Sequence, residues 1–213
     1  MDDDALPGRA ADLGPACADG EDAHLIERRR SGQVLLSGGF LEVRRDEVEL
    51  PSGALATREY IVHPGAVGVL PLLDDGRVLL ERQYRYPVGR VMLEIPAGKL
   101  DHGEDPWACA RRELQEETGY TARQWARAGQ LHNAPAYSDE IIHLYVARGL
   151  QPGPANLDDE EFLELCAVDE AEFDRLVATG AITDVKTLYA LLWLQRWRAG
   201  AWPLQWFDGP PIP

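Results

Sequence analysis

Three carboxylates, Glu113, Glu116 and Glu117, fall close together in a segment whose composition reads as helix. Positions three and four apart share a helix face, so the three side chains can converge on one spot. Negative charge that dense needs either water or cations around it. Hard carboxylate oxygens suit Mg²⁺, with Mn²⁺ as the alternative. An ordinary amphipathic helix, its acids paired with Arg111 and Arg112, would account for the charge. It would not account for Glu104 in the loop ahead, nor for the glycines at 98 and 119 that bracket the segment.

Elements around these residues must hold them in place. Asp105 is a suitable N-cap, Pro106 suits the first helical turn and Gly119 suits the C-cap, so the acids ride on a helix with defined ends. Apolar strands are expected at Ala66–Leu72 and Val78–Gln83, joined by an Asp74-Asp75-Gly76 turn, and at Val91–Ile95. A Pro96-Ala97-Gly98 turn follows, where Gly98 would let the backbone bend tightly. Ala126–His132, Ile141–Arg148 and Phe162–Val168 read as further strands, and Asp169–Thr179 and Asp184–Arg198 as helices. Upstream, His24–Arg30, Gln33–Leu36, Phe40–Glu49 and Leu55–Tyr60 read as short strands separated by Ser-Gly, Gly-Gly and Pro-Ser-Gly punctuation. The expected layout is a disordered tail over 1–22, a small antiparallel sheet over 23–60, a main domain over 61–200 and a C-terminal tail over 201–213. Helices on both sides of a mixed sheet make the main domain an α/β/α layer within the α+β class. Trp193, Trp197, Trp202 and Trp206 read as packing anchors for the last helix and tail rather than a stacking site for a cofactor.

Composition narrows the function classes. The 213-residue chain carries 36 acidic against 21 basic residues, a formal charge of −15. Nucleic acids and anionic membranes need basic patches, so neither is an expected partner. A phosphate-bearing ligand would have to be received locally, by cations and a few arginines. Three widely spaced cysteines, Cys17, Cys109 and Cys166, form no CxxC pair and suit a reducing cytoplasm. Neither a membrane span nor a signal peptide is evident.

From Gly98 to Tyr120 the chain satisfies the Nudix signature GX5EX7REUXEEXGU (U, bulky apolar) at Gly98, Glu104, Arg112, Glu113, Leu114, Glu116, Glu117, Gly119 and Tyr120. At residue frequencies of roughly one in fifteen, its seven identity positions coincide by chance about once in 10⁸ frames. The chain thus resembles a Nudix hydrolase. Its flanks, His63-Pro64-Gly65-Ala66-Val67, Glu81 to Pro87 and Leu93 to Gly98, are similar to the ADP-ribose pyrophosphatase subfamily. So is Pro135, sixteen positions after Gly119, although Ala134 and Ala136 depart from the usual Ser-Pro-Gly.

The resemblance implies a metal-dependent pyrophosphohydrolase cleaving ADP-ribose to AMP and ribose 5-phosphate with two or three Mg²⁺ ions. It implies metal ligation by Glu113 and Glu117, with Glu116, the Ala97 carbonyl and, from a mobile acidic loop, Glu161. Asp159 or Glu160 is the alternative general base, and Arg112 orients a signature glutamate. It further implies diphosphate binding by Arg85, substrate contact by Arg58 across a homodimer that exchanges N-terminal sheets, and subfamily matches at Glu140 and Pro135. Glu94 could bind metal-bound water or pair with an arginine. GDP-mannose or another nucleoside diphosphate sugar is the alternative substrate. A non-catalytic ADP-ribose sensor is a rival from another class, set against the intact carboxylates.

Overall fold

The computed structural model describes residues 22–157 and 161–208. After a 3-10 turn at Asp22–His24, strands β1 (Arg28–Ser37), β2 (Glu42–Glu49) and β3 (Leu55–Val62) form an antiparallel sheet in that order. The two short strands expected before residue 37 are one. Ser31-Gly32 reads as a break in sequence, but the structure takes it up as a register shift between Arg29 and Ser31 while pairing with β2 continues. The boundary expected at residue 60 falls inside β3, whose end bridges to Ser138 of the main body.

The main body is an eight-stranded mixed sheet. Its strands are β4 (Ala66–Leu72), β5 (Val78–Arg85), β6 (Arg90–Glu94), β7 (Ala97–Lys99), β8 (Tyr120–His132), β9 (Ile141–Pro152), β10 (Leu163–Val168) and β11 (Trp206–Phe207). The order is β10-β5-β4-β9-β8-β11, with β6 on β5 and β7 on β4. β4 and β9 pair in parallel from Ala66↔Ile142 to Leu72↔Arg148. Helices α1 (Pro106–Thr118), α2 (Glu170–Ala178) and α3 (Val185–Arg198) complete the body.

Strand alternation explains the layers. Side chains along a strand point to opposite faces in turn. Val67 and Val69 of β4 pack with Cys109, Ala110 and Leu114 of α1, and with Trp125 and Tyr145. Leu70 and Leu72 face the other way, onto Phe173 of α2 and Ala190, Leu191 and Leu194 of α3. All of β4 is buried because both faces are covered. Leu114, fully buried between helix and sheet, would cost about 2–5 kcal/mol to truncate to alanine. That contact presses the signature helix against β4.

One expectation is corrected. Ala97–Lys99 is a strand rather than part of a turn: it pairs with Ala66–Gly68, supplying partners to the end of β4 that β5 leaves uncovered. The C-terminal segment is tied to the body, for Trp206 and Phe207 pair with Ala126 and Trp125. Trp197 packs edge-on against Trp206, and Trp193 against Trp202, so these rings do anchor the last helix.

Candidate active site

Helix α1 begins where the sequence signals it. Asp105 accepts from the backbone N–H groups of Trp107 and Ala108 at 3.0 and 3.2 Å. Gly119 closes the helix at φ 71°, a left-handed conformation that favours glycine. A side chain there would also strike the Gly153 carbonyl at 2.7 Å. The two ends fix the helix's rotation. Its carboxylates therefore face an open cavity of about 580 Å³ between β5, β6, β7 and α3.

Of the residues singled out in the sequence, Arg85, Glu94, Ala97, Gly98, Arg112, Glu113, Glu116, Glu117, Glu140 and Glu161 line this cavity. Arg58 and Pro135 do not. Arg58 lies on β3 and pairs with Glu27, just ahead of β1; Pro135 sits in the loop between β8 and β9. Asp159 and Glu160 lie outside the described residues.

Arg112 ties the acids together. It donates to Glu113 at 2.8 Å, to Glu116 at 3.0 Å and to Glu104 at 2.9 and 3.0 Å. The Arg112 bonds hold the Glu104 carboxyl far down, at about 2. Glu117 accepts from the Ala97 backbone N–H at 2.9 Å. Gly98 lies against the Glu113 carboxylate, and a Cβ there would sit 1.9 Å from it. Its missing side chain therefore makes room for an acid rather than for a tight turn, and its φ is not positive.

Charge in the site is out of balance. Burial raises the pKa of Glu117 strongly, and the neighbouring charges of Glu81 and Glu113 add to the rise. Glu113 is raised too, burial leading and Arg112 opposing. Glu81, on β5 next to Glu117, is fully buried, and among the described residues no donor reaches either of its oxygens. Burial again pushes its pKa up, against the opposing charge of Lys186. Buried unpaired carboxylates are costly, and a divalent cation beside Glu113 and Glu117 would relieve that cost. Among the described residues no three such donors already form a coordination sphere; one oxygen each of Glu113, Glu116 and Glu117 is engaged by Arg112 or the Ala97 N–H. The donor chemistry nonetheless suits a hard cation.

In the same lining Arg85 meets Glu94 through two bonds, at 2.8 and 3.0 Å. Burial would raise the Glu94 pKa, but Arg85 and Lys186 outweigh it and lower it. Of the two roles open to Glu94 in the sequence, the structure shows the arginine pair. Glu140 accepts from Asn133 at 2.9 Å and lies 3.6 Å from His63. Sequence reasoning gave no role to Lys186 or Glu81. An acid directly following the apolar run Val78–Leu80, within the expected strand, was the available signal for Glu81. Lys186, beside a helix cap, offered none.

A model of the NUDIX domain matches residues 62–204. An ADP-ribose pyrophosphatase of Bacillus subtilis is 39% identical over 173 residues, covering 80% of this chain and 94% of that protein. A methanol dehydrogenase activator of Bacillus methanolicus is 40% identical over 171 residues, covering 79% of this chain and 92% of that protein. A crystal structure described as an ADP compounds hydrolase superposes with a TM-score of 0.74 at 24% identity, covering 82% of this chain and 95% of the other.

Proposed function

The chain belongs to the NUDIX family, whose hydrolases act on diphosphate bonds, and from that footing we propose that it cleaves ADP-ribose to AMP and ribose 5-phosphate. One observation carries the reading: a single cavity is lined both by the acids of α1 and by Arg85 of β5. A diphosphate needs both kinds of group, acids to hold cations and a guanidinium to receive phosphate oxygens directly. The similarity to the Bacillus subtilis ADP-ribose pyrophosphatase supports the choice of nucleotide sugar.

In this reading Glu113 and Glu117 hold divalent cations, with Glu116, the Ala97 carbonyl and Glu161 completing the set. Mg²⁺ is the proposed ion, with Mn²⁺ as a substitute, and two or three are bound. Such ions neutralise phosphate oxygens and make a water more acidic. Arg112 orients Glu113 and Glu116. Arg85 aligns the diphosphate through the donors it does not spend on Glu94. Glu161, or alternatively Asp159 or Glu160, takes the proton of the attacking water, whose oxygen ends on a phosphorus as the bridging P–O bond breaks. Glu140 borders the substrate end of the site.

Dimerisation belongs to the same proposal. On the small sheet and its turns Val34, Leu35, Leu36, Phe40 and Leu55 are all exposed, an apolar surface that a second copy would cover. Arg58 would then reach the partner's site.

A panel of ADP-ribose, GDP-mannose, other nucleotide sugars and a nucleoside triphosphate, each with Mg²⁺, tests the substrate. A kcat/KM for ADP-ribose at least about tenfold above the rest is expected, a margin of roughly 1.4 kcal/mol. Preference for another sugar nucleotide would discard the substrate and keep the chemistry.

A further inference from the structure

Lys186 is a buried lysine in the wall of the cavity. Its Nζ donates to Glu94 Oε2 and lies 3.1 Å from Asp184 Oδ2. Glu94 in turn holds Arg85 side-on: Oε1 accepts from Nε and Oε2 from Nη2. One acid thus serves two cations through a shared oxygen. The side-on pairing spends Nε–H and one Nη2 proton of Arg85, leaving the remaining donors of the fork for another partner.

Holding the fold together does not require this ammonium. α3 is already fastened to the end of β6, because the Ile95 N–H donates to Thr187 Oγ1 at 2.9 Å. Asp184 caps the helix through the Thr187 N–H and hydroxyl, at 3.0 and 2.6 Å. Burying a lysine costs several kcal/mol unless it is well paired, and an apolar side chain would pack more cheaply. What Lys186 adds is charge. Glu94, Asp184 and the buried Glu81 all lie within its electrostatic reach. Without it, the whole negative charge of Glu94 would fall on Arg85.

We propose that Lys186 is a positioning residue for diphosphate binding: it pins Glu94, so that Arg85 is presented to the substrate with its free donors and its charge intact. The proposal rests on the reading of Arg85 as the phosphate-binding arginine. It assigns Lys186 an effect on binding that passes through Arg85 rather than a contact of its own.

The test is a double-mutant cycle on the full-length protein. ADP-ribose affinity is measured by calorimetry in EDTA, and KM and kcat with Mg²⁺. Lys186→Met is expected to weaken ADP-ribose binding about tenfold, the worth of part of one charge-assisted hydrogen bond. KM should rise by a similar factor and kcat should change far less. Arg85→Gln is expected to weaken binding at least as much, and the double variant no more than Arg85→Gln alone. Lys186→Arg should restore most of the affinity. Additive losses would show that Lys186 meets the substrate independently, and would overturn the proposal. So would wild-type affinity in Lys186→Met. If Arg85→Gln itself binds as wild type does, the reading of Arg85 falls, and that result is separate from either outcome at Lys186. Should Lys186→Met fail to melt cooperatively, Lys186→Gln keeps a donor to Glu94 without the charge, and the same coupling pattern is expected.

Discussion

Gly98→Ala adds one methyl group and should disable the site without unfolding the protein. Gly98 lies in β7 opposite Val67 with an ordinary strand conformation, so alanine meets no backbone strain. The obstacle is Glu113, whose carboxyl carbon and Oε1 would both lie 1.9 Å from the new Cβ. Unbonded atoms settle near 3.5 Å, so the carboxylate must retreat by roughly 1.5 Å. Retreat breaks the 2.8 Å bond from Arg112, at a cost of about 1–3 kcal/mol. For a chain of this size each kcal/mol moves Tm by about 2–4 °C, which leaves a folded protein at room temperature. Function should suffer more. Displacing one carboxylate should weaken Mn²⁺ binding on the order of 10–100-fold, and a misplacement of that size can cost about 10² in kcat. Mn²⁺ titration by electron paramagnetic resonance reads the first effect, and AMP release from ADP-ribose the second. Gly39→Ala is the control, since a Cβ there meets nothing within 4 Å and its φ is not positive. Wild-type Mn²⁺ affinity and turnover in Gly98→Ala would refute the placement of Glu113 at the cation.

Arg112→Lys should lower Tm by several degrees, because a lysine cannot span Glu104, Glu113 and Glu116 as the guanidinium does; an unchanged melt would show the bonds to be dispensable. The metal-free protein should lose stability as pH rises from about 5 through neutral. Glu81 and Glu117 both have raised pKa values, so the folded state keeps protons that the unfolded chain has released. Each group contributes a slope of at most about 1.4 kcal/mol per pH unit. Melts in EDTA from pH 5 to 8 should show the decline, Glu81→Gln should flatten it, and a flat wild-type profile would contradict the raised values. Leu36→Glu, on the exposed β1, should turn a dimer into a monomer in sedimentation at micromolar concentration, and a monomeric wild type would refute the proposed assembly.

The signature helix was legible because its signals are local. Asp105, Pro106 and Gly119 mark its ends, and the spacing of Glu113, Glu116 and Glu117 sets its face within one short segment. The rest of the cavity lining was legible only in part. Arg85 was singled out in the sequence, but the Lys186 that shares its partner Glu94 reaches that acid across 92 positions, which no local pattern encodes. Pro96-Ala97-Gly98 reads as a turn by composition. It becomes a strand because β4 needs a partner at its open end, a tertiary demand that overrides the local preference. The same holds at Ser31-Gly32, where pairing with β2 absorbs the expected break as a bulge. Gly98 drew notice for its identity, but the sequence did not show that Glu113 fills the space its side chain would occupy.

Most direct of all is product release from ADP-ribose by wild type with Mg²⁺, wild type with EDTA, and Glu117→Gln with Mg²⁺. Glutamine keeps an oxygen for the Ala97 N–H that Glu117 now accepts at 2.9 Å, so this variant should melt cooperatively and still bind ADP-ribose. AMP and ribose 5-phosphate in equal amounts from wild type with Mg²⁺, none with EDTA, and a kcat lower by about 10² or more in Glu117→Gln are the expected results. Tight binding of ADP-ribose without turnover by wild type would make the protein a sensor, and wild-type turnover in Glu117→Gln would remove the cation from this helix.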